Sequence, residues 1–282
     1  MDFSLKKINK EVFHSYQSTL LKKLISKKRN LYKNCLSKLS LIDSNFDSKD
    51  FALKENYNCI SKKFDKFSES FAKKRWVYIK NPIKTKFHKE LIEDWPNKNF
   101  LYPYRSDNKI QDVGFQYRAN NDKKRIESIC KYINNFPKLK NFYQYISSEN
   151  FAKRIQEFMQ IKDEMKCNII GTRYASKGGW LSFHMDGVGN KDEFPEYNGK
   201  AINIIWHIDG INGSKNGGIC LTKNKNIIEE WPNGLIHESL QLKNSCFIYD
   251  TNYSLGYYHG YPPMNKNSFR CVITSQFLPK LK

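Results

Sequence analysis

From Met165 onward the chain runs as a series of strand-length apolar segments: CNIIGTRYA, WLSFHMD, AINIIWHID, GGICLTK, LQLKNSCFIYD and SFRCVITSQFL. Gly, Asn and Pro punctuate them, as turns between strands require. The front of the chain has a different period. Residues 4–40 place Ile8, Val12, Phe13, Tyr16, Leu20, Leu21, Leu24 and Ile25 at spacings of three and four, an amphipathic helical pattern. A second helix is expected over 50–74, after the turn-rich segment 43–47. RWVYIKNPI reads as a short strand stopped by Pro82, and KTKFHKELIEDWP as a helix ending before Pro96. Residues 121–136 and 148–161 again read as helical. Strands at this spacing, with helices mostly before them, predict an α+β chain. Its helices, drawn mainly from the N-terminal half, pack on an antiparallel double sheet of the jelly-roll or cupin kind. No repeat or Pro/Gly/Ser-rich linker divides it. The expected organisation is a basic helical region over 1–74 packing on a domain over 75–282, whose sheet core spans about 165–280.

With 282 residues and 39% hydrophobic content, the chain can bury a substantial core, and 15% aromatics argue against low-complexity disorder. No stretch approaches the roughly 20 apolar residues that cross a bilayer, and Met1 to Lys10 lacks the apolar core of a signal peptide. We therefore expect a soluble, cytoplasmic protein. The seven cysteines are scattered and never form CxxC, so reduced thiols are expected rather than a disulfide framework or zinc ribbon. The formal net charge is +20, and residues 1–150 carry +16 of it, with 32 basic against 16 acidic residues. Such a surface attracts an anionic substrate or a polyanion; a solvated helical surface explains the charge equally well.

Chemistry-bearing residues gather in the strand-rich half. His184 and Asp186 stand at the end of one strand-like run, and His259 follows His184 by 75 residues. Two imidazoles and one carboxylate form the facial triad of non-heme Fe(II) sites, which leaves coordination positions open for a bidentate cosubstrate and dioxygen. Residues i and i+2 of a strand point to one side, so His184 and Asp186 can reach one ion. Eleven residues after His259, Arg270 interrupts the alternating run SFRCVIT. Burying a guanidinium there is costly unless it meets an anion, and its planar fork grips a carboxylate at two points.

These residues, in this order, give a chain that resembles the Fe(II)- and 2-oxoglutarate-dependent dioxygenases, particularly their prolyl 4-hydroxylase-like branch. The likeness covers roughly residues 165–280 and rests on Tyr174, Gly178 and Gly179, His184 and Asp186, Gly217 and Gly218, His259, and Arg270. It implies a double-stranded β-helix and hydroxylation of a C–H bond in a small molecule or side chain, with release of succinate and CO2. It also implies Fe(II), 2-oxoglutarate and O2 as cofactor and cosubstrates. His184, Asp186 and His259 would be the iron ligands, Arg270 would bind the distal carboxylate of 2-oxoglutarate, and Tyr174 and Thr274 would add hydrogen bonds to it. Tyr174 is equally well read as a core aromatic.

Departures refine the expectation. Val272 stands where one large branch has Ser, and Gln276 stands where the nucleic-acid demethylases tend to carry a second Arg, which disfavours nucleic-acid repair. Asp186 is an acid, so hydroxylation is preferred to halogenation. Trp180, Phe183, Trp206 and Tyr249 could line a pocket, but strand aromatics are more often core. The competing functions are a cupin-like metal protein without oxygenase activity, such as an isomerase or sugar-binding module, and a basic nucleic-acid-binding module. A second His-x-Asp-Gly, His207 to Gly210, duplicates the first, His184 to Gly187. Local spacing cannot choose between the copies; the position of Tyr174 and Gly178 before the first favours His184 and Asp186.

Overall fold

The computed structural model describes residues 58–95, 114–116, 136–176, 181–186, 200–224, 227–230, 232–262 and 264–280. The helices expected over 4–40 and 121–136, the start of that over 50–74, and the loop after Asp186 lie outside these residues.

Among the described residues ten strands form two antiparallel sheets. In chain order, β1 spans Trp76–Lys80, β2 Gly114–Gln116, β3 Met165–Ser176, β4 Leu181–His184, β5 Ile202–Gly210, β6 Cys220–Thr222, β7 Leu235–Glu238, β8 Ser245–Asp250, β9 Tyr258–Tyr261 and β10 Phe269–Pro279. One sheet has the order β1-β8-β5-β10-β3-β2, the other β4-β9-β6-β7. Sequence neighbours are scattered across the two sheets, so the architecture is held by non-local pairing. Among the described residues the α-helices are α1 (Ser68–Lys74), α2 (Thr85–Glu93), α3 (Pro137–Ile146), α4 (Glu149–Met159) and α5 (Ile227–Glu230).

Alternation along β5 and β10 builds two cores on opposite faces of the larger sheet. Ile202, Ile204, Trp206 and Ile208 of β5, with Cys271 and Ile273 of β10, face the helices, where they meet Phe64, Phe71, Phe142 and Phe151. Ile205 and Val272, one position out of step, join Ala175, Phe247 and Tyr249 on the other face. There they pack on Leu181, Leu221 and Tyr261 of the smaller sheet, so the two sheets are stacked face to face. Trp206 is a core residue: its ring stacks 5.9 Å from Phe64, and its indole Nε1 donates to Ser275 Oγ at 3.0 Å.

Helix ends follow local chemistry. Ser148 caps α4 by accepting from the Phe151 amide at 3.1 Å, and Gln160 ends it in the left-handed region. Sequence reading missed α3, which opens with Pro137 in its first turn, a position where the missing N–H costs nothing. Cys59, Cys220, Cys246 and Cys271 are buried thiols in no disulfide, and burial pushes all four up from the ordinary thiol value. No helix among the described residues is long and apolar enough to cross a membrane.

Candidate metal centre

His184, Asp186 and His259 converge at the end of the smaller sheet, each offering one ligand atom, with those atoms within 4.8 Å of one another. The convergence has two causes. His184 on β4 and His259 on β9 are register partners across an antiparallel pair, which sets their rings 4.3 Å apart. The strand ends at His184, and Asp186 lies just beyond it. His184 Nε2 is 3.6 Å from Asp186 Oδ1, and His259 Nε2 is 3.7 Å from Oδ2.

A second register pair, from the larger sheet, supports the carboxylate. Asn203 of β5 lies opposite Tyr249 of β8. Asn203 Nδ2 donates to Asp186 Oδ2 at 2.6 Å, and the Tyr249 hydroxyl donates to the same oxygen at 2.5 Å. Oδ2 is thereby occupied twice, which leaves Oδ1 as the less engaged oxygen. The Tyr249 hydroxyl also lies 3.1 Å from His259 Nε2. Burial by itself raises the Asp186 carboxyl; His259, His184 and Tyr249 together outweigh it and hold the group well below the usual carboxylate range. An ionised carboxylate beside two imidazoles is the donor set expected of a divalent metal site.

Arg270 lies on the same inter-sheet face and is only 3% exposed. Its Nη1 donates to the Gly217 carbonyl at 2.6 Å, and its guanidinium lies 4.4 Å from the ring centroid of Tyr261. Tyr261 is two residues past His259 on β9 and shares its face, so the cation and the metal ligands open on one inter-sheet space. Among the described residues no carboxylate pairs with Arg270. A buried guanidinium using one of its five donors fits an incoming carboxylate. Gly217 is required there: its φ is +95°, and a Cβ would stand 2.6 Å from Arg270 Cδ.

Thr274 follows Arg270 by four residues on the same strand face, opposite Ile205. Tyr174 lies opposite Cys271 in the β3–β10 pairing, one register position out of step with Arg270, which lies opposite Ala175, so the backbone does not bring it to the Arg270 face. The second His-x-Asp does not converge. A register shift in β5 sets His207 opposite Val272 but Asp209 opposite Cys271, so the two side chains leave by opposite faces. Asp209 instead lies 3.8 Å from Lys243 Nζ. Sequence reading did not find Asn203 and left Tyr249 as a core aromatic; the one available signal was a lone amide inside the apolar run AINIIWHID.

No family model matches the chain, and no curated protein matches it either. Solved structures do. The non-heme alpha ketoglutarate dependent epimerase SnoN from nogalamycin biosynthesis matches with a TM-score of 0.53 at 9% identity, over 77% of this chain and 82% of SnoN. HygX from Streptomyces hygroscopicus, solved with nickel and 2-oxoglutarate bound, matches with a TM-score of 0.51 at 9% identity, over 75% of this chain and 85% of HygX. The chain shares its fold with these two proteins.

Proposed function

We propose that the chain is an Fe(II)- and 2-oxoglutarate-dependent dioxygenase that hydroxylates a C–H bond of a small molecule or side chain. The reading is carried by one observation: the His184, Asp186 and His259 ligand atoms open on the same space between the sheets as Arg270, which pairs with no carboxylate among the described residues. In this reading the two sheets are a double-stranded β-helix within a domain over 75–282, and residues 1–74 pack on it. His184 Nε2, an Asp186 oxygen and His259 Nε2 would hold the iron. Bound iron would supply oxidative chemistry, coupling decarboxylation of 2-oxoglutarate by O2 to oxidation of the substrate.

The chain's own groups divide the remaining work. Asn203 and Tyr249 hold Asp186 Oδ2 and so orient the carboxylate. Arg270 grips the distal carboxylate of 2-oxoglutarate, with Thr274 as a further hydrogen-bonding group; Tyr174, paired with Cys271 rather than with the Arg270 position, is left out of this set. Apolar residues such as Val272 and Leu221 keep water from the space between the sheets. The +16 charge of residues 1–150 favours an anionic substrate or carrier.

Anaerobic addition of Fe(II) and then 2-oxoglutarate tests this without knowledge of the substrate. A weak visible charge-transfer band that needs both is the expected result. Metal binding with no response to 2-oxoglutarate would point to a cupin-like metal protein instead.

A further inference from the structure

His207 is left without a role by the site above, yet it is wholly buried on the face that Arg270 also occupies. Its Nδ1 lies 3.3 Å from Ser245 Oγ, and its Nε2 has no hydrogen-bond partner among the described residues. The ring proton can be located by following the hydroxyls. Ser245 Oγ is 2.5 Å from the Gln241 carbonyl, which has no hydrogen to give, so the Ser245 proton lies between them. Ser245 Oγ then accepts from His207 Nδ1–H, and Nε2 carries a bare lone pair in an apolar space. Leaving such an atom unpaired is unfavourable and calls for a ligand.

The arrangement can be reversed at small cost. The Gln241 carbonyl also accepts from the Tyr78 hydroxyl at 2.7 Å, so it keeps one donor if Ser245 turns away. Ser245 can then donate to Nδ1, while one proton leaves Nδ1 for solvent and one reaches Nε2. The ring stays neutral throughout. Burial opposes its charging, as does the charge of Arg270 on β10; His237 on β7 is its other titratable neighbour. Tyr78 on β1 faces it only through Ser245.

We infer that His207 is a second binding group for the distal carboxylate of the cosubstrate, donating from Nε2–H beside the Arg270 fork. The inference rests on the proposed role of Arg270. It makes the carboxylate's recognition depend on a hydroxyl rotor, Ser245, that has no contact with the ligand.

Calorimetric titration of the Mn(II)-loaded full chain with 2-oxoglutarate, and with pyruvate, which lacks the distal carboxylate, tests it. His207→Asn places its amide near the Nδ1 position and removes the donor at Nε2; His207→Gln places one near Nε2. The Asn variant is expected to weaken 2-oxoglutarate binding by about 10- to 100-fold, the range for losing a hydrogen bond to a charged group. The Gln variant is expected to stay within about threefold of wild type, a small change on that scale. Pyruvate should bind all three alike. Equal 2-oxoglutarate affinity in the Asn variant overturns the inference, as does an equal loss for pyruvate. If Asn fails to give a cooperative thermal melt, His207→Leu serves in its place, and the Gln comparison still decides. Failure of wild type to bind either ketoacid would sink the proposed function instead.

Discussion

Asn203 and Tyr249 are register partners on neighbouring strands, and both donate to Oδ2 of Asp186, at 2.6 and 2.5 Å. Removing the phenol while keeping the ring should therefore loosen the carboxylate without opening a cavity. Tyr249→Phe is expected to lower Fe(II) or Co(II) affinity by about 10- to 100-fold, the usual effect of losing a group that orients a ligand. Competition with a metallochromic chelator measures it; unchanged affinity would make Tyr249 a packing residue only.

Arg270→Ala removes a buried cation that the Gly217 carbonyl and the Tyr261 ring hold in place. The variant should lose roughly 2 to 5 kcal/mol of 2-oxoglutarate affinity, the range for breaking a buried charge pair, with metal binding retained. Titration calorimetry on folded, metal-loaded protein reads both quantities. Wild-type affinity in this variant would refute the assignment.

Gly217→Ala presses on the same group from the other side. The added methyl would sit 2.6 Å from Arg270 Cδ and 2.9 Å from Met264 Sδ at a backbone φ of +95°. Left-handed strain of about 1 to 3 kcal/mol should lower the melting temperature, and displacement of the guanidinium should weaken 2-oxoglutarate binding as well. A variant with reduced stability but intact cosubstrate binding would show that Arg270 has slack.

The two His-x-Asp copies are separable by metal content. His184→Ala should lose bound Fe(II), because it deletes one of three converging ligands. His207→Ala should keep it, since Asp209 leaves by the opposite face of the sheet. Iron analysis of both folded proteins checks this, and the reverse pattern would exchange their roles.

His237 supplies a pH dependence of stability. It stacks 5.5 Å from Phe247, between Trp76 and Tyr78, each 4.9 Å away, and burial pushes its pKa down to about 4. The folded ring stays neutral where the unfolded one, with a pKa of about 6.5, takes up a proton. Its contribution is therefore complete above about pH 6.5 and is lost as pH falls toward 4, by about 1 to 3 kcal/mol. Urea unfolding of wild type and His237→Phe across that window should show the slope reduced in the variant. Parallel slopes would assign it to other groups.

Alternating apolar runs after Met165 announced strands because a two-residue period survives any arrangement of the sheets. The candidate site residues and their order, His184, Asp186, His259 and then Arg270, were legible for a similar reason: the proposed chemistry demands those side chains wherever the backbone goes. Helix α3 was not legible, since Pro137 reads as a breaker until its place in the first turn is known.

The sequence by itself singled out the candidate residues for metal and carboxylate, and showed that they belong to a strand-rich half. It could not separate His184 and Asp186 from His207 and Asp209, because both copies have the same spacing. The tertiary structure did so through a single register shift in β5, which turns Asp209 to the opposite face from His207. It also decided the parts played by Asn203 and Tyr249, 46 residues apart in the chain but bonded across two strands at 3.1 Å. Such pairings come from sheet register, a non-local property set by which strands meet, and no local pattern of residues encodes them.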